Sequence, residues 1–274
     1  MDKLVNSKLI AADMTMVLGM RISMGSPELY DSLKESSKVV YAHPIEDVAM
    51  QNIAQQFMKY EPGSEEGVLA LLAYHLLKAV TLPKDKKTFL DDLDLAYLEA
   101  ESNTGEEEYE EIIESFEQAS HPLLIVGDDV LTHDRAENIA KICALIQEYS
   151  SVSVMLVPSY ELDKSEKIEL NGKLEEVEEL PEYNGTVIYN STSTQESENT
   201  LYGSAQFATA AHISDGDFIS ISFGGQTVNR TFKIDSELKG TIAINPTLGI
   251  DVESTRYKFE RSKISKINQK SESR

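Results

Sequence analysis

The sequence predicts an α/β fold: an open three-layer, Rossmann-like sheet domain followed by a small C-terminal β-barrel. Three observations carry this. Leu123 to Asp129 (LLIVGDD) gives four consecutive apolar residues that end in glycine and two carboxylates, the pattern of a strand buried on both faces that emerges at a sheet edge. Ile139, Ile142, Cys143 and Ile146 then recur every three or four residues, one apolar helical face, and Val152 to Val157 is a second β-branched run. Strand, helix and strand in that order make a βαβ unit, whose normal outcome is parallel pairing. Beyond Thr186 the short strand signals dominate, and the fold class changes.

The elements follow in order. Met14 to Gly19 reads as a strand, and Pro27 to Lys34 as a helix with Ser26 as N-cap and proline in the first turn. Lys38 to Ala42 is a second strand, ending at His43-Pro44. A helix is expected from Ile45 to about Phe57. After the turn at Glu61 to Ser64, Ser64 caps the next helix, with Glu65 and Glu66 in its first turn and Val68, Leu71, Leu72, His75 and Leu76 as the buried stripe. Lys84 to Gly105 is polar and weakly periodic. Glu106 to Gln118 is amphipathic, with Tyr109, Ile112, Ile113 and Phe116 on one side. In the second part, strands fall at Thr186 to Tyr189, Phe218 to Ser222, Thr227 to Ile234 and Thr241 to Ile244. A short helix is expected from Ser204 to Ala211, with turns at Ser214 to Asp217 and at Phe223 to Gln226. The expected domains are residues 1–160 (α/β), 161–182 (charged connector), 183–262 (β-barrel) and 263–274 (basic tail).

Composition narrows the function classes. The chain has 274 residues, 41% apolar, enough for one large domain or two ordinary ones. No run approaches the length of a membrane span, and Met1 to Asn6 lacks the basic flank and apolar stretch of a signal peptide. A net charge of −22 argues against nucleic acid, which needs a basic stripe. The charge is uneven: Asp91 to Glu117 holds twelve acidic and no basic side chains, whereas Arg256 to Arg274 holds seven basic and two acidic. The acidic block reads as a solvated loop plus an exposed helix; alternatively it, or the basic tail, docks against a complementary partner surface. The single cysteine, Cys143, excludes an internal disulfide and any all-cysteine metal site, and reads as a core residue.

No motif assembles a catalytic set. Gly127-Asp128-Asp129 sits where open α/β sheets bind ligands, but with one glycine instead of G-x-G-x-x-G, and two carboxylates would repel a dinucleotide phosphate. The aspartates read as the start of a turn and a helix cap. Met16 to Arg21 is a weaker phosphate-loop candidate still. His43, His75, His121, His133 and His212 show no metal-ligand spacing. Ser204 follows Gly203 but lacks the G-x-S-x-G context of a nucleophile. Catalytic, cofactor-binding and metal residues are therefore each expected to be none, and the expected cofactor is none.

The order of the pieces resembles a known family. Leu201 to Ala210 (LYGSAQFATA), Ile213 to Ile221 (ISDGDFISI) and Leu238 to Pro246 (LKGTIAINP) resemble the C-terminal barrel of the molybdopterin oxidoreductase superfamily. His43 to Asp47 (HPIED), Gln51 to Ile53 (QNI), Lys59 to Val68 (KYEPGSEEGV) and Leu123 to Asp129 resemble the large subunit designated G in the bacterial proton-pumping NADH-quinone oxidoreductase, respiratory complex I. The resemblance implies the later half of a protein like that large subunit, a scaffold without the iron–sulfur region whose cysteines carry electrons. In relatives with a pterin cofactor, the loop corresponding to Asn190 to Thr194 makes contacts; here no Arg or Lys lies nearby in sequence to hold a phosphate. The expected role is a non-catalytic structural or assembly part of a membrane-associated NADH-quinone oxidoreductase. Its expected partners are the other subunits, with no nucleic acid and no membrane insertion, and its expected location is cytoplasmic, peripheral to the inner membrane through those partners. The alternatives are a molybdopterin-binding oxidoreductase remnant and a stand-alone protein-binding module.

Overall fold

The computed structural model describes residues 12–22, 27–157, 173–191, 199–247 and 257–267. Ser26, residues 161–172, residues 192–194 and the basic tail beyond Ile267 lie outside the described residues. The chain divides into two compact units, residues 1–182 and 183–274.

In the first unit, β1 (Met14–Leu18), β2 (Lys38–Ala42), β3 (Gln56–Met58), β4 (Pro122–Gly127) and β5 (Ser153–Val157) form an all-parallel sheet of order β3-β2-β1-β4-β5. Strands β1 and β4 are buried at every position, so both faces must be covered. Met14, Met16, Leu18, Leu124 and Val126 point into one core, and Val17, Val39, Tyr41, Leu123 and Ile125 into the other. The second core is closed by α1 (Pro27–Lys34) through Leu29 and Leu33. The first is closed by α2 (Glu65–Leu77), α3 (Lys84–Asp91), α4 (Leu95–Ser102), α5 (Glu106–Gln118) and α7 (Ala136–Tyr149), with α6 (Asp128–Leu131) leading into α7. This is the expected three-layer α/β architecture. The connection from β1 runs to β2 on one side while β4 lies on the other, which places a topological switch point between the ends of β1 and β4.

Three readings change. No helix spans residues 45–57: a single 3-10 turn at Met50–Asn52 is followed by β3. The Asp47 carboxylate accepts from the Ala49 amide at the start of that turn, while the Gln55 amide donates to the Val39 carbonyl and docks the chain on the open edge of β2. Helix α2 is buried nearly all round, not along one stripe, because α4, α5 and α7 pack around it; Leu77 is buried and Leu76 only partly. The weakly periodic stretch from Lys84 holds two helices. Asp94 caps α4 by accepting from the Tyr97 amide, and Asn103 ends it at φ 56°.

The second unit holds a seven-stranded mixed sheet of order β11-β6-β10-β7-β9-β8-β12. Its strands are β6 (Val187–Ser191), β7 (Thr200–Gly203), β8 (Phe218–Phe223), β9 (Gln226–Ile234), β10 (Ile242–Pro246), β11 (Phe259–Arg261) and β12 (Lys263–Lys266). The two edge strands, β11 and β12, are separated in sequence by Ser262 alone. A flat seven-stranded sheet would hold its edges about 29 Å apart at about 4.8 Å per strand, whereas two Cα steps span at most about 7.6 Å. The sheet therefore curls back on itself, which is the expected small barrel. Gly224 and Gly225 take φ 51° and 80° in the β8–β9 hairpin, the two left-handed positions that such a two-residue turn requires. Helix α8 (Ala205–Ala211) is capped by Ser204, whose hydroxyl accepts from the Phe207 amide, and Phe207 stacks on Phe232 in the core. Ser204 is thus a capping residue. Among the described residues, no helix is long and apolar enough to cross a membrane.

Candidate functional site

The switch point is where a doubly wound sheet binds a ligand, and here the chain closes it. The loop leaving β1 folds across the gap between β2 and β4. The Gly19 amide donates to the Ala42 carbonyl, the Asp129 amide donates to the Gly19 carbonyl at 3.1 Å, and the Tyr41 hydroxyl donates to the Met20 carbonyl at 3.2 Å. Met20 and Val130 fill the space, both fully buried. The packing leaves no room for a side chain on either glycine. A Cβ on Gly127 would stand 2.3 Å from the Met20 Cβ and 2.4 Å from the Gly19 carbonyl oxygen; one on Gly19 would stand 2.2 Å from a Val130 methyl. The glycines that a phosphate loop would use to admit a diphosphate are used instead to bring protein against protein.

Beneath the crossing loop lies a buried ionisable network whose members are far apart in sequence. His43, at the end of β2, lies 2.9 Å from the Asp129 carboxylate through Nε2, and both side chains are fully buried. His43 Nδ1 lies 2.9 Å from the Ile45 amide and 3.0 Å from the Ile45 carbonyl, so the same residue holds that edge of the ring while Nε2 faces Asp129. Both ring nitrogens are engaged. His133 is engaged in the same way: the Arg135 amide donates to Nδ1 and Nε2 donates to the Gly63 carbonyl, with the Glu65 carboxylate at 3.7 Å. Tyr60 lies close to both acidic groups; burial first, and then the negative charge of Glu65 and Asp129, push its phenol well above the usual range. His43 and Asp129 are 86 residues apart, and nothing in their local pattern announces the pair.

A second cluster fastens residues 173–182 to the first unit. Arg135 Nε donates to both oxygens of the buried Glu66 carboxylate, its Nη1 donates to Glu175 and Glu178, and its Nη2 to the Glu176 carbonyl. Asn138 donates to Glu66 and accepts from the Glu175 amide. Leu174 and Leu180 are buried on either side, and Leu180 lies against Gly67 of α2. The hydrogen bond that Arg135 donates to Glu66 is the main cause that raises its guanidinium still further; Glu175 is held below the usual carboxylate range by Lys141 first.

The remaining sequence candidates are dispersed. His75 is buried between Tyr109, stacked at 5.3 Å, and the edge of Tyr74. His121 is exposed next to Asp13, whose carboxylate accepts its amide, and His212 ends α8 at φ 55°. Cys143 is fully buried and its thiol is pushed up to about 12 by burial alone. Among the described residues, no three His, Cys, Asp or Glu side chains are grouped to hold a metal. In the barrel, one feature was invisible in sequence. Arg230 Nε donates to Asn245, Asn245 donates to Asn190, and Asn190 donates to Glu260, a chain through two buried asparagines at the ends of the parallel β6–β10 pair. An arginine does therefore lie near Asn190 in space.

Fold and site together define a class: a doubly wound α/β unit with a closed switch point, joined to a curled mixed-sheet barrel. No protein-family model matches the sequence, and no curated protein matches it. Among solved structures, acetylene hydratase from Pelobacter acetylenicus is similar over 88% of this chain and 71% of its own, at 7% identity and a TM-score of 0.49. The fold stands on the sheet orders themselves.

Proposed function

We propose that the chain is a non-catalytic structural or assembly part of a membrane-associated NADH-quinone oxidoreductase, on the cytoplasmic side and held there through partner subunits. The resemblance of His43 to Asp47, Lys59 to Val68 and Leu123 to Asp129 to the large iron–sulfur subunit of that complex supports the partner. The observation that carries the non-catalytic reading is the switch point filled by Met20 and Val130, over histidines whose ring nitrogens are both engaged. Such a unit contributes shape and contact. The test is affinity purification of the tagged full chain from solubilised native membranes. Co-purification of the other subunits in fixed ratio supports the reading; a monomer that carries none of them at cellular salt refutes it.

A second reading, a molybdopterin-binding remnant, is favoured by one observation: the Arg230–Asn245–Asn190 chain in the barrel. Release of a fluorescent pterin together with molybdenum or tungsten from the purified chain would establish it in place of the first.

A further inference from the structure

The first unit contains a cavity away from the switch point. It has a volume of about 500 Å³ and lies between α3, α4 and the segment from Lys173 to Val177. That volume is several times the roughly 150 Å³ that a folded core can keep as a dry void, and falls in the range of small-molecule pockets. The floor is apolar: Phe89, Leu98 and Leu174 are all buried. The outer wall is the segment latched by Arg135 and Asn138, so the cavity is held open by a fastened strap.

The polar groups around it are lopsided. Asp85, Asp92, Asp94 and Glu176 face it with a single lysine, Lys173. Asp94 is already engaged in capping α4, and Asp85 lies 3.5 Å from Lys86. Among the described residues, no ion pair is formed by Asp92 or Glu176. Asp92 is the C-cap of α3, a helix with no basic residue in its last turn. A helix C-terminus carries partial negative charge, so a carboxylate placed there adds to that negative potential, while Lys87 of the same helix pairs with Asp91.

We infer that this cavity binds a small amphiphilic organic cation, with its apolar body on Phe89, Leu98 and Leu174 and its ammonium or guanidinium at Asp92 and Glu176. The site is a property of the first unit and lies outside the assembly role proposed above. A surplus of acceptors selects a donor-rich head, and the apolar floor selects a carbon chain over a hydrated metal ion.

The test is calorimetric titration of the full chain with hexylammonium and, separately, with the neutral 1-hexanol. Hexylammonium is expected to bind at least about tenfold tighter, a ratio that falls toward unity in about 1 M salt as screening shortens the reach of the charges. The doubly substituted chain, Asp92→Asn with Glu176→Gln, changes two exposed side chains and should bind both probes equally. Leu93→Trp fills the cavity and should abolish both, with the circular-dichroism spectrum and melting temperature confirming that each variant is folded. Equal binding of both probes by the unsubstituted chain, no binding of hexylammonium, or undiminished binding by the folded Leu93→Trp chain would each overturn the inference.

Discussion

Replacing Gly127 by alanine tests the closed switch point. Gly127 has φ −88°, which any residue adopts, so the penalty is steric and not conformational. The new methyl would lie 2.3 Å from the Met20 Cβ and 2.4 Å from the Gly19 carbonyl oxygen, against an ordinary contact of about 3.5–4.0 Å. Neither neighbour is the far end of a flexible side chain. Relief requires moving the loop after β1, which strains the Asp129-to-Gly19 and Tyr41-to-Met20 hydrogen bonds. Overpacking costs about 1–3 kcal/mol and each hydrogen bond about 1 kcal/mol, so a loss of about 3 kcal/mol is expected. Urea unfolding followed at 222 nm reports mainly the first unit, because the only helix described in the second is α8. With a slope of about 2–3 kcal/mol/M, the midpoint should fall by roughly 1–1.5 M. Met20→Ala retains the Cβ and should not rescue the variant. A midpoint shift below about 0.2 M would mean that the crevice has room and that the closure argument is wrong.

Three further outcomes follow from buried groups. His75 is held below its usual pKa, chiefly by burial and then by Lys78, so the unfolded chain takes up the proton first; stability present above about pH 6.5 is lost as pH falls. His75→Phe keeps the stack on Tyr109 and should flatten the melting profile between pH 7 and 5; parallel profiles would contradict the assignment. Cys143, with its thiol pushed up to about 12, should not react with an aromatic disulfide reagent in the native chain and should take up one equivalent on unfolding. Arg135→Met leaves the buried Glu66 carboxylate without its guanidinium, a loss of about 3 kcal/mol, and should open residues 173–182 to limited proteolysis; an unchanged digestion pattern would show that the latch is not what holds the segment.

Much of the fold was legible because local pattern and tertiary environment agree. Strands β1 and β4 read as continuous apolar runs since both faces are covered, and Ile139, Ile142, Cys143 and Ile146 point inward as their spacing implies. The misreadings have tertiary causes. Val48, Ile53 and Phe57 give residues 45–57 enough helical periodicity to mislead, but the open edge of β2 takes residues 56–58 as a strand. Helices α3 and α4 have only eight residues each, so periodicity is weak; Pro83, Asp94 and Asn103 were the usable boundary signals. Strands β11 and β12 were hidden in a charged stretch because edge strands keep polar side chains exposed. The site was less legible than the fold. His43 with Asp129, and Arg135 with Glu66 and Glu175, are long-range pairs that only the sheet order and the packing of α2 on α7 bring together.

Hydrogen exchange at the amide of Asp129, which donates to the Gly19 carbonyl across the switch point, tests the closed crevice most directly. The full chain would be followed alone and in the presence of NADH at millimolar concentration. The account predicts strong protection of Asp129 in the free chain and no change at residues 19–21 or 127–130 on adding the dinucleotide. Weak protection in the free chain, or added protection confined to those two segments, would show that the crevice opens to a ligand and would remove the basis for a purely structural role.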